Sequence, residues 1–138
     1  CRQLATYVIF DSPLNMLCDN PSNYRREPEC TAFIARIPTV WDETLGLDGK
    51  VGEYITMARR SGDEWYVGGL TNWDKRDITV DLSFLGEGFY EIELFKDGIN
   101  ADRAACDYKR VVMPVPEDRQ LKVTLFPGGG FAGRIEKR

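Results

Sequence analysis

The sequence predicts a mainly β protein, an antiparallel sandwich or barrel preceded by a short α/β segment. Three observations carry this. From Gly52 onward apolar and polar residues alternate in short runs, cut by turn clusters at intervals of about ten residues. Before residue 37 the pattern reads instead as helix, strand, helix. Between the two, Pro38 to Gly49 reads as a loop carrying Trp41, Asp42, Glu43 and Asp48.

Taken in order, "RQLATYVIF" distributes Leu4, Ala5, Tyr7, Val8 and Ile9 around nearly all sides. That predicts the second half of a buried helix rather than an amphipathic surface one. The stretch Leu14 to Cys18, set between Pro13 and the turn signal Asp19-Asn20-Pro21, predicts a brief buried strand of the parallel-sheet kind. Asn20 before Pro21 is an N-cap followed by proline at the first helical position, where the missing N–H costs nothing. Pro28 interrupts that helix, so a second one starts there, turns Phe33 and Ile34 inward and stops before Pro38. A segment with so few strands cannot form a sheet alone and reads as the tail of another domain.

The later runs are "GEYITMARR", "EWYVGGLTN", "ITVDL", "FYEIELFKD", "RVVMPVP" and "QLKVTLFP", with a last strand through Phe131 and Ile135. In the fourth, Tyr90, Ile92 and Leu94 face inward against Glu91 and Glu93; in the sixth, Leu121, Val123 and Leu125 do so against Lys122 and Thr124. The three glycines of "FPGGGF" lack a following G-K-[ST] and helix, so they predict a tight bend and not a phosphate cradle.

The chain has 138 residues, a net charge of −4 and no histidine. One core is expected, and the whole acidic excess falls after residue 36. Acidity argues against nucleic acid as a partner, since that affinity rests on Lys and Arg neutralising phosphates. Absence of histidine excludes His-based catalysis within the chain. Cys1, Cys18, Cys30 and Cys106 are widely spaced without C-x-x-C, so neither a zinc site nor a disulfide framework is expected. No apolar run reaches the roughly 18 residues of a membrane span. The start at Cys1, inside an apolar run, suggests that upstream sequence has been removed.

Trp41-Asp42-Glu43 offers an aromatic beside two carboxylates, the parts of a glycosidase site. Sequence neighbours point apart, however, whereas that chemistry needs carboxyl groups converging at roughly 5 to 9.5 Å. A buried junction with Asp42 bonded to backbone is the reading adopted, with no catalytic, substrate-binding or metal residue assigned. Trp65 and Trp73 could stack on sugars, but core packing is the expectation for most of these aromatics. Asp97, Asn100 and Asp102 have calcium-loop intervals without the terminal glutamate, and read as a solvated connection.

Together, "SPLNMLCDNPSNY", "PTVWDET", "GEYITMARR", "DEWYVGGLTNW", "DLSFLGEGFYEIELFKDGINADR" and "PGGGF" resemble the C-terminal end of glycoside hydrolase family 97. These are bacterial calcium-dependent α-glucosidases and α-galactosidases. The resemblance implies that residues 1–36 are the end of a catalytic (β/α)8 barrel, with Leu14 to Cys18 its last strand. It makes 37–51 a junction and 52–138 a C-terminal β-sandwich associated with oligomerisation. The catalytic carboxylates and calcium ligands of that family lie upstream of Cys1, so none is transferred. Asp19 and Asn20, at the end of the expected barrel strand, are at most rim contacts. The implied whole is a periplasmic or secreted α-glycosidase acting on oligosaccharides. Its partners are the barrel and N-terminal domains and further copies of itself, and this chain is inactive alone. The rival classes are a stand-alone carbohydrate-binding module, which would expose Trp65, Trp73 or Tyr66 in a row, and an interaction domain that buries an outer sheet face.

Overall fold

A six-stranded antiparallel sheet organises the computed structural model, which describes residues 1–17 and 19–138. In chain order the elements are α1 (Arg2–Ile9), α2 (Pro21–Arg26), α3 (Pro28–Arg36), β1 (Glu43–Lys50), β2 (Tyr54–Ser61), β3 (Glu64–Thr71) and β4 (Arg76–Asp81). They continue with β5 (Tyr90–Asp97), β6 (Tyr108–Pro114), β7 (Gln120–Leu125) and β8 (Gly130–Lys137). The large sheet runs β1-β2-β3-β8-β5-β6, and β4 pairs with β7 as a separate ribbon. Every pairing is antiparallel. Six of the seven expected β-runs match β2 to β7, and the last strand follows the glycine turn as the sequence predicts.

The ribbon closes the inner face of the sheet. Ile92 and Leu94 of β5 meet Val80 of β4 and Leu121, Val123 and Leu125 of β7 in one buried cluster with Ala58, Val67, Phe131 and Ile135. Each fully buried side chain of this kind contributes roughly 1.5–3 kcal/mol relative to exposure. The cluster has the period-two spacing read from the sequence. Phe131 lies opposite Gly69, and a Cβ there would run into its ring.

The outer face carries the helices. Leu4, Val8, Phe33, Ile37, Tyr66, Phe95 and Ala132 form a second buried cluster, and Ala5, Ile9 and Leu70 a third. Phe33 of α3 tilts against Phe95 of β5 at 4.8 Å between ring centres. α1 lies over Gly68 and Ala132, which are opposite each other in the β3–β8 ladder. The expectation of a helix buried all round is therefore corrected: Leu4, Ala5, Val8 and Ile9 are buried while Arg2 and Gln3 are exposed. One face on a sheet is enough to hold eight residues of helix.

Two further expectations are corrected. Over the described part of the strand expected from Leu14 to Cys18, no ladder forms and Leu14, Met16 and Leu17 are exposed; Cys18 lies outside the described residues. A parallel strand exists only through the neighbours it pairs with, and among the described residues none runs beside this segment. The second correction concerns Pro38 to Gly49, most of which is not loop. Glu43–Lys50 is the edge strand β1, with Leu45 and Leu47 against the inner core and a register shift between Gly46 and Asp48. Two glycines and an aspartate hid its alternation, because residues with poor strand preference can still be held by a ladder. The N-cap at Asn20 is as predicted, its Oδ1 accepting from the Ser22 and Asn23 amides at 3.1 Å.

A Cβ at Gly68 would stand 3.1 Å from Cβ of Val8. Gly68→Val should therefore push α1 off the sheet and destabilise the chain by about 1–3 kcal/mol, read as a lowered urea midpoint. Gly62→Ala, at an open turn position, is the control for a mere glycine effect, because its left-handed φ of +58° adds backbone strain without touching α1.

Candidate functional site

The seam between helices and sheet is where the predicted site residues and the densest polar network meet. Trp41 follows α3 and sets its indole edge-on to Tyr66 of β3, 5.5 Å between centres and 71° between planes. The Arg59 guanidinium lies over the Trp41 ring at 5.6 Å, and its Nη2 donates to the carbonyl of Ile9, the last residue of α1, at 3.1 Å. Trp41 thus stands among groups from α1, β2 and β3. Asp42 and Glu43 face elsewhere. Asp42 Oδ2 accepts from the Gly62 amide at 2.7 Å, and Glu43 Oε2 accepts from Arg60 Nε at 3.1 Å, both tying β1 to the β2–β3 hairpin. The backbone partner expected for Asp42 is there and the two carboxylates point apart as expected, but the expected burial is corrected: Asp42 and Glu43 are exposed, and only Trp41 is half-buried.

Sequence reasoning missed the hub of this seam, Tyr66. Its ring is buried under the helices, and its hydroxyl lies 2.9 Å from the Arg36 carbonyl that ends α3 and 3.0 Å from Glu64 Oε2. One hydroxyl proton is shared between two acceptors. Burial, reinforced by the Glu64 carboxylate, pushes the Tyr66 phenol up to about 12. Glu64 in turn is bound by Arg134 of β8, whose hydrogen bond holds its carboxyl below the ordinary range. Below Tyr66 the charges continue across the sheet. Glu93 was expected to face outward, and it does leave the inner core, yet it is buried and held by Arg36 at 2.7 Å and Arg110 at 2.8 Å. Glu136 pairs with Arg134 and Arg138, and Glu91 with Arg138. The signal was present as glutamates on the outer positions of β5 and an arginine opposite on β8, but sequence alone does not tell a covered face from a wet one.

These carboxylates cannot serve as an acid and base pair. Each is paired with a guanidinium, whereas a glycosidase needs two carboxyl groups free to face a substrate. The remaining candidates are placed as follows. Asp97 turns inward and accepts from the Phe126 amide at 3.1 Å and the Gly130 amide at 3.0 Å. Burial pushes its carboxyl up, against the pull of those amides. Asn100 and Asp102 do not join it; the 98–107 loop is closed by Asp107, which accepts from the Asn100 amide at 2.8 Å. Among the described residues no group of three or more His, Cys, Asp or Glu side chains could hold a metal ion. Asp19 accepts from the Asn20 amide and the Asn23 side chain and lines a cleft of about 630 Å³ between α1, α2, α3 and the 98–107 loop. Cys1, Cys30 and Cys106 are free thiols, and burial raises that of Cys30. Trp65 is half-buried, packed against the inner core and Phe84, and Trp73 is exposed.

A β-sandwich with one polar ribbon face, one helix-clad face and every seam carboxylate neutralised in place defines an accessory domain rather than a catalytic one. Residues 40–136 match the family described as the glycosyl-hydrolase 97 C-terminal, oligomerisation domain, and the chain belongs to that family. Over 136 residues it is 66% identical to a retaining α-galactosidase of Bacteroides thetaiotaomicron, covering 99% of this chain and 20% of that protein. A probable retaining α-galactosidase of Streptomyces bingchenggensis is 32% identical over 94% of this chain and 19% of its own length. A family 97 glycoside hydrolase from Pseudoalteromonas sp. strain K8, solved in complex with panose, superposes with a TM-score of 0.93 at 35% identity, over 99% of this chain and 22% of that one. The chain thus spans about a fifth of the length of the relatives it matches, and within that architecture it is the non-catalytic C-terminal part.

The lowered Glu64 carboxyl sets an acid limit. A group depressed in the folded state contributes stability above its unfolded value, near 4.3, and loses it as the pH falls through the folded one. Urea midpoints should therefore drop as the pH is taken below about 4.3, and Glu64→Gln should lose stability at neutral pH while flattening that part of the profile. An unchanged acid limb in the variant would show that Glu64 does not carry it.

Proposed function

We propose that this domain serves a longer retaining α-galactosidase, seating the catalytic part of that enzyme and joining copies of it. The observation that carries the reading is 66% identity, across 99% of the chain, to a retaining α-galactosidase. Terminal α-linked galactose in oligosaccharides is the proposed substrate of the whole protein, with glucose the nearest alternative. The carboxylates that perform the hydrolysis, and the calcium proposed to assist them, belong to sequence outside residues 1–138. A periplasmic or secreted location is proposed on the ground of that substrate class alone.

In this reading Trp41, Asp42 and Glu43 form the domain junction. Trp41 packs where α1 and α3 reach the sheet, and the two carboxylates fix β1, into which the junction leads. The exposed apolar run of Phe10, Leu14, Met16 and Leu17, beside the interhelical cleft, is the surface proposed to receive the rest of the enzyme.

The test compares the chain of residues 1–138 with the longer protein that carries it, using para-nitrophenyl α-galactoside and the corresponding glucoside. The chain alone should release no nitrophenol, and the longer protein should favour the galactoside with net retention, read from the first-formed anomer by NMR. Turnover by the chain alone overturns the non-catalytic assignment. A longer protein that cleaves only the glucoside overturns the galactose one.

A further inference from the structure

Among the described residues Arg59 is the only buried cation, 4% exposed, and no buried carboxylate answers it. It stands on the helix-clad face of β2, with Thr44 and Tyr66 as its cross-strand neighbours. Its ion-pair partner among the described residues is Asp11, at 3.4 Å, and that carboxylate is 84% exposed. Nε is enclosed without an acceptor. A buried guanidinium so incompletely paired works against stability, and apolar side chains of similar volume commonly replace such groups without loss. Asp11, being exposed, stays hydrated when its partner is removed. Stabilising the fold as a whole therefore does not account for Arg59.

What the side chain reaches is the end of a helix that has no cation of its own. α1 carries no basic residue in its last turn and stops where Phe10 becomes extended, and the carbonyls at such an end are the negative pole of the helix. Arg59 Nη2 donates to the Ile9 carbonyl at 3.1 Å, and Nη1 faces Asp11 two residues further on. The same guanidinium lies over the Trp41 ring at 5.6 Å.

We propose that Arg59 is a positioning residue: from β2 it fixes the end of α1, and with it the direction in which the run through Phe10, Leu14, Met16 and Leu17 leaves the sandwich. The eight residues of α1 are too few to hold a helix unaided. Arg2 fastens its start by donating to the carbonyls of Thr71 and Gly128, and packing on Gly68 fastens its middle. At the last turn Ile9 packs with Ala5 and Leu70, but apolar burial is non-directional and does not choose where a carbonyl points. The hydrogen bond from Arg59 does. That the run receives the rest of a longer enzyme rests on the reading proposed above; the fixing of α1 does not.

The test measures amide hydrogen exchange by NMR on the ¹⁵N-labelled chain of residues 1–138 beside Arg59→Met and Arg59→Lys, with urea midpoints for all three. In Arg59→Met the Ile9 and Phe10 amides should exchange about tenfold faster, while those of β3 and β8 keep their rates and the urea midpoint does not fall. Arg59→Lys should hold the Ile9 and Phe10 amides near their original rates, since an ammonium still donates to a carbonyl at the helix end. Unchanged exchange at Ile9 and Phe10 in Arg59→Met, a uniform acceleration over α1, β3 and β8 with a lower midpoint, or a lysine variant indistinguishable from the methionine one overturns the proposal. No substrate enters the measurement, so an error in the proposed reaction leaves this result standing, and failure of Arg59 in this role leaves that reaction untouched.

Discussion

Close approach of α1 to the sheet is the constraint on which the rest of this structure depends. A helix can lie flat on strands only where the strands offer no side chain to hold it off, and here Gly68 and Ala132, cross-strand partners at the centre of the sheet, leave that space. Once α1 is seated, Ile9 is in position for Arg59, Arg59 for Trp41, and Trp41 for Tyr66. The chain of contacts runs from a missing Cβ to a buried hydroxyl, and each step is short-range packing or a single hydrogen bond. A larger residue at the start would loosen every later member, because closely packed interiors transmit displacement.

The polar seam is stabilising only because it is complete. Tyr66, Glu64, Arg134, Glu93, Arg36 and Arg110 place several polar groups between helices and sheet, and an unpaired member would cost about 1–3 kcal/mol or more for a charged group. Each carboxylate has a guanidinium, and the phenol has two acceptors for its one proton. Such a network specifies one docking of α3, since sliding the helix by a turn would strand Arg36 and Glu93 together. It also explains why a surface rich in acid residues is chemically quiet.

Period-two alternation made β2 to β8 legible, because a strand with one face on a core cannot hide its pattern; proline and Asn20 did the same for α2 and α3. β1 was illegible for the opposite reason: Gly46, Asp48 and Gly49 carry no strand signal, and the ladder to β2 alone makes it a strand. The run from Leu14 to Leu17 failed the other way, an apolar word whose meaning depends on neighbours outside it. At the seam, Trp41 was correctly singled out by residue type, but the carboxylates beside it point to the β2–β3 hairpin. Tyr66 and Glu93 were invisible as functional residues because in a sequence an outward strand position covered by helices looks the same as one covered by water.

The glycine turn before β8 carries a consequence of its own. Backbone amides that converge on one point are a general receptor for anions, and here those of Phe126 and Gly130, at the two ends of the turn, close on the Asp97 carboxylate, while the Gly128 and Gly129 amides donate to the carbonyls of Asn72 and Phe126. A ligand tethered to the same polypeptide competes at an effective concentration that free phosphate or sulfate cannot match. The motif most suggestive of nucleotide chemistry in this sequence is therefore a lock closed by its own key, and buffer anions should leave the molecule indifferent.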